Sequence, residues 1–195
     1  MALKTVVIYG SVRDNRQGIR AANYIANQLK VRKHEVTFID PLELDVPFMK
    51  LMYKEYQKGK APEWMEKLAT TYKAADAFVL VTGEYNHSIP PPLSNLLSFF
   101  LDEYFYRPAA IVSYSAGIVG GQRAAVHLRA LAAELGMPTI PSMLAIPEVS
   151  KACTEDGALT EPGARIQKNF DKFAVELEWY ANALHEFRQK SPPLG

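Results

Sequence analysis

Five short apolar runs rich in β-branched residues recur along the chain: TVVIY (5–9), EVTFI (35–39), AFVLVT (77–82), AAIVSYS (109–115) and the weaker TIPSMLAI (139–146). Several lack alternation of apolar and polar residues, as expected of strands in a parallel sheet covered on both faces. Segments with helical spacing lie between them. Ala22, Ile25, Ala26 and Leu29 share one face, as do Ala124, Leu128, Leu131 and Leu135, and Gly136 with Pro138 beyond makes a helix stop. A last helix is predicted from about Arg165 to Gln189, with Ile166, Phe170, Phe173, Leu177, Tyr180, Leu184 and Phe187 at steps of three and four. This alternation predicts an α/β three-layer fold: an open, five-stranded parallel sheet of order 2-1-3-4-5, with ligand bound beyond the carboxyl ends of its strands.

The length of 195 residues suits one domain, expected over 1–190, with 191–195 a flexible tail. Two stretches, 41–62 and 146–163, are long for plain connections. The formal charge of +1 lacks the clustered basic excess that nucleic acid requires, and lacks the acidity of a small electron carrier. Cys153 is the only cysteine, which excludes an intrachain disulfide and a thiolate metal cluster and fits a reducing compartment. Histidines and carboxylates show no metal-ligand spacing, so no metal site is expected. No apolar run approaches the roughly 20 residues of a membrane span. MALKTVVIYG reads as a first strand rather than a signal, so the expected location is cytoplasmic.

In this strand order the loops after strands one, three and four open on one edge. The first is GSVRDNRQG (10–18), where Gly10 and Gly18 permit tight turns, the following helix offers free amides, and Ser11, Arg13 and Arg16 suit phosphate oxygens. The second, TGEYNHSIPPPLSN (82–95), hangs Tyr85, Asn86 and His87 over the edge, with a helix starting near Pro91 or Pro92. The third, SYSAGIVGGQRAA (113–125), has Gly117, Gly120 and Gly121 for close backbone approach. GxGxxG after the first strand and GxxxxGK[ST] are both absent, disfavouring a Rossmann dinucleotide and a P-loop hydrolase. The first loop has no cysteine for a phosphatase, and the acidic pair of a receiver domain is missing. A mononucleotide carrying a flat ring remains.

GSVRDNRQG, GEYNHSIPPPLSN and SAGIVGG together resemble the NAD(P)H-dependent FMN reductases, over about Lys4 to Leu144. That family is flavodoxin-like and includes quinone, azo-dye and chromate reductases. The resemblance implies that Ser11, Arg13, Arg16, Gln17 and Gly18 form the FMN-phosphate loop. It implies that Glu84, Tyr85, Asn86 and His87 bond and cover the isoalloxazine, with Ser115, Gly117 and Gly120 beside its pyrimidine edge. Gly83, Ser94 and the SFF around Phe99 stand where the family commonly has proline, lysine and tryptophan.

The implied activity moves hydride from NADPH or NADH to bound FMN, and then electrons to a small acceptor: a quinone, an azo compound, a flavin or a metal ion. The flavin carries the chemistry, so no protein side chain is required as nucleophile or acid. Amides around Asn86 and the helix start near Gly120 are the expected stabilisers of charge on the reduced ring, and His87 is the one side chain to test as proton donor. The alternative is a non-enzymatic FMN electron carrier or redox sensor. The family forms dimers and tetramers with flavin sites at the junction, so a homodimer or homotetramer is implied. Phe99, Phe100, Tyr104, Phe105 and Tyr106 are the expected self-association face.

Overall fold

Each apolar run becomes a strand: β1 (Lys4–Tyr9), β2 (Glu35–Ile39), β3 (Ala77–Thr82), β4 (Ala109–Tyr114) and β5 (Thr139–Ile146). In the computed structural model, which describes residues 2–191, they form one parallel sheet of order β2-β1-β3-β4-β5, as expected. The tail expected to be flexible lies outside the described residues apart from Ser191. Every residue of β3 and β4 is buried, which explains why those runs show no alternation. Ile8 pairs with both Ile39 and Leu80, Thr82 with Ser113, and Tyr114 with Ile146, so the carboxyl ends form one edge.

The helices are α1 (Ile19–Val31), α2 (Pro41–Leu44), α3 (Glu63–Ala74), α4 (Pro91–Ser98), α5 (Gln122–Glu134), α6 (Val149–Ala152) and α7 (Ala164–Lys190). Apolar faces of α1 and α7 cover one side of the sheet, and those of α3, α4 and α5 cover the other. On α7, Ile166, Phe170, Phe173 and Leu177 are buried as the spacing predicts. Beyond them the pattern fails: Tyr180 and Leu184 are half-buried and Phe187 is exposed. Polar contacts hold the last turns instead, with His185 Nδ1 2.6 Å from Asp76 and Arg188 donating to the Tyr106 carbonyl.

The 41–62 stretch leaves the carboxyl edge through α2 and runs along α4. Asn95 pins it twice, accepting from the Met49 amide at 3.0 Å and donating to the Pro47 carbonyl at 2.8 Å. Tyr53 and Trp64 then pack on Phe100, and Trp64 also meets Phe99 edge-on. The 146–163 stretch is tied down too, by Arg20, Asn23 and Asn27 of α1 donating to the carbonyls of Cys153, Glu155 and Asp156.

This corrects the expected self-association face. Phe99, Phe100 and Tyr104 are buried in the chain's own core, beside Tyr72 and Phe78, because the 41–62 arm and α3 supply the aromatic partners that cover them. Only Tyr106 of that group is exposed. Phe100→Ala is therefore expected to cost about 3–5 kcal/mol of folding stability through the cavity it leaves. Urea unfolding measures this, and a loss below about 1 kcal/mol would contradict the packing.

Candidate functional site

β1 ends at Tyr9, and the chain turns into a loop whose Asn15 is left-handed (φ 50°) before α1 begins. Among the described residues, the amides of Gln17 and Gly18 find no protein acceptor, as at any uncapped helix start. Gly18 is required there: a Cβ would lie 1.8 Å from the Tyr114 ring, which packs against the first turn of α1. Tyr114 also lies under Gly83 and donates to the Tyr9 hydroxyl at 3.3 Å. Burial pushes the pKa of both tyrosines up, so they are neutral hydroxyls.

Arg16 does not stand free. Its Nη1 and Nη2 reach Asp40 Oδ1 and Oδ2 at 2.5 Å each, and Nη1 also donates to the Ser11 carbonyl at 2.9 Å. A hydrogen bond to Asp40 holds the guanidinium firmly charged. Three of its five N–H donors are thus engaged, leaving two. Arg13 is exposed, makes no ion pair among the described residues, and lies 5.7 Å from the centre of the Tyr85 ring. Ser11 Oγ and Tyr85 OH share a hydrogen bond of 2.7 Å that joins the first and second loops.

In the third-strand loop, Tyr85 and Ser88 exchange both backbone hydrogen bonds, at 3.0 and 2.9 Å. Asn86 and His87 between them are left-handed (φ 49° and 64°), the form of a two-residue turn that favours asparagine and strains histidine. Their side chains stand exposed at the tip. Glu84 crosses to the fourth-strand loop: its carboxylate accepts from the Arg123 amide at 3.1 Å and from the Arg123 guanidinium at 3.0 Å. It caps the start of α5, so the helix start near Gly120, expected to face the ring, already faces a carboxylate. Ser115 Oγ donates to the Gly117 carbonyl and accepts from the Gly120 amide, bracing that loop from within.

A cleft of about 520 Å³ joins the loops, inside the range of about 300–1,000 Å³ typical of small-molecule sites. It brings together Ser11, Arg13, Arg16, Gln17, Glu84, Tyr85 and Ser115 from the sequence-predicted set. Gly18, Asn86, His87, Gly117 and Gly120 do not line it. Sequence reasoning missed Asp40, Tyr114, Asn15, Ala116 and Val149, of which all but Asp40 line the cleft. Asp40 had a signal: it directly follows β2, and order 2-1-3 places that strand end beside the first loop.

Burial works against the charged form of Glu84, but the Arg123 hydrogen bonds outweigh it and hold the carboxyl below its ordinary range. The tether therefore stabilises fully above the unfolded-state pKa of about 4.3 and is lost as pH falls through the lower folded-state value. Arg123 is half-exposed, so Glu84→Gln is expected to cost at most about 1 kcal/mol at neutral pH. Urea titrations at descending pH check this: the gap from wild type should shrink, and a gap independent of pH would contradict the tether.

A family model described as NADPH-dependent FMN reductase matches residues 3–151. An NADPH azoreductase of Bacillus sp. strain OY1-2 is 27% identical over 189 residues, covering 96% of this chain and 98% of that protein. An NAD(P)H-dependent FMN reductase of Schizosaccharomyces pombe is 33% identical over 153 residues, covering 73% and 72%. Among solved structures, the flavoenzyme NAD(P)H:(acceptor) oxidoreductase of Paracoccus denitrificans superposes with a TM-score of 0.72 at 20% identity, covering 92% of this chain and 99% of that one. A flavodoxin of Pseudomonas aeruginosa, at 0.57 and 17% over 90% of this chain and 99% of its own, shares the same flavodoxin-like fold. With its match spanning most of the chain, and its three loops meeting at one edge, the protein belongs to the NADPH-dependent FMN reductase family.

Proposed function

We propose that the chain uses the cleft to hold FMN and passes electrons from a reduced nicotinamide to a small acceptor: a quinone, an azo compound, a free flavin or a metal ion. The observation that carries the reading is the loop before α1, where the amides of Gln17 and Gly18 find no acceptor and Arg13 makes no ion pair among the described residues. That donor set fits a phosphate dianion. When bound, FMN supplies the two-electron chemistry.

The chain's own residues bind and orient. Amides of Gln17 and Gly18, with Ser11 and Arg13, would take the phosphate; Arg16 would add its two remaining donors. Tyr85 and the 115–120 loop would flank the ring, with Glu84 fixing the distance between the two loops. Asn86 and His87 stand at the exposed tip, where they would meet a ring lying across the cleft mouth.

The azoreductase name of a relative that matches over nearly its whole length supports an azo acceptor. Assembly into a homodimer or homotetramer is supported by Phe48, Ile118 and Val126, large apolar residues left exposed. A single domain over 1–190 is supported by the one sheet that all five strands share. No described helix is long and apolar enough to cross a membrane, and with the buried free Cys153 this favours the cytoplasm.

The test is an anaerobic titration followed by visible absorption. Purified protein should carry FMN, lose the flavin colour on addition of NADPH or NADH, and recover it when a quinone or azo dye is added. Flavin that stays oxidised with both donors would contradict the enzyme and favour a carrier.

A further inference from the structure

The charges that line the polar cleft are divided between its ends. The first loop brings Arg13, Asp14 and Arg16, and Arg16 is already paired with Asp40. Of the described residues that line the cleft outside the first loop, Glu84 is the one acid, and none is lysine or arginine. Its side chain is 13% exposed, against 51% for its partner Arg123. Arg123 does not line the cleft but meets the carboxylate from the start of α5. Its amide donates to Oε2 at 3.1 Å and its guanidinium to Oε1 at 3.0 Å. These bonds keep Glu84 ionised at neutral pH.

A carboxylate at this end of the cleft has an electrostatic consequence. The proposed site sets the flavin ring between Tyr85 and the 115–120 loop, and Glu84 ties the second loop to the helix that the 115–120 loop leads into. A hydride delivers two electrons and one proton, so the ring gains one negative charge on reduction. A fixed negative charge nearby opposes that gain, more strongly when it is out of water, and a fixed positive charge offsets it. The start of α5 carries roughly half a unit of positive charge and leaves Glu84 undercompensated. The Arg123 guanidinium supplies the rest.

We infer that Arg123 is a positioning residue for the flavin reaction: by neutralising Glu84 it raises the reduction potential of FMN held in the cleft. The inference rests on the proposed FMN site and gives a part in its chemistry to a residue that acts only through Glu84.

The test is the midpoint potential of FMN bound to the full-length chain, measured anaerobically at neutral pH against a reference dye with the site saturated. Arg123→Gln and Glu84→Gln both break the tether, so a purely mechanical role shifts the potential the same way in each. Charge balance gives opposite signs. Arg123→Gln should lower the potential and Glu84→Gln raise it, each by a roughly tenfold change in the reduction equilibrium, about 30 mV for a two-electron couple. Arg123→Lys, which keeps the charge, should lie closer to wild type than Arg123→Gln does. Any outcome other than opposite signs in the two single variants overturns the inference, as does an Arg123→Lys potential equal to that of Arg123→Gln. Wild-type chain that binds no FMN overturns the reading beneath; bound flavin without opposed shifts overturns this inference alone.

Discussion

The carboxylate of Asp40 stands at the carboxyl end of β2, 4% exposed, with each oxygen 2.5 Å from an Arg16 nitrogen. Removing one partner of so buried a pair leaves a charge without compensation, a loss of about 3–5 kcal/mol. The pair does more than hold two side chains. Because β2 lies next to β1, it ties the first loop to the neighbouring strand, and Nη1 of the same arginine fixes the Ser11 carbonyl. Asp40 Oδ1 also accepts the Leu42 amide and so starts α2 and the 41–62 arm. The first loop and the 41–62 arm therefore share one anchor.

This arrangement divides the work of the two arginines. Arg16 is an internal strut with two donors to spare, its guanidinium 5.2 Å from the centre of the Tyr9 ring. Arg13 makes no ion pair among the described residues, which leaves its charge for a ligand. The starts of α1 and α5 differ in the same way. The α5 start is occupied by Glu84, while α1 has no side-chain cap and the amides of Gln17 and Gly18 just before it find no acceptor among the described residues.

Much of the fold was legible because burial on both faces leaves continuous β-branched runs; EVTFI, AFVLVT and TIPSMLAI match β2, β3 and β5 residue for residue. The face of α7 was legible only as far as the sheet extends, since Phe187 has no layer to cover. The three loops were legible as a group from strand order. What spacing could not give was pairing between distant segments: Asp40 with Arg16, Arg123 with Glu84, Tyr114 beneath Gly18, Asn95 with the 47–49 backbone. For the same reason Phe99, Phe100 and Tyr104 looked like surplus aromatics. Their partners Tyr53, Trp64 and Tyr72 arrive from segments whose course the sequence does not reveal.

The central claim is that the start of α1 and Arg13 hold a phosphate, within a loop that Arg16 and Asp40 keep in shape. Comparing the dissociation constants of FMN and of riboflavin, which lacks the phosphate, isolates that grip from every contact to the ring. The account predicts that wild type prefers FMN, that Arg13→Ala weakens FMN roughly 10- to 100-fold while leaving riboflavin unchanged, and that adding Arg16→Ala abolishes the preference. A doubly substituted chain that holds FMN as tightly as wild type would contradict it.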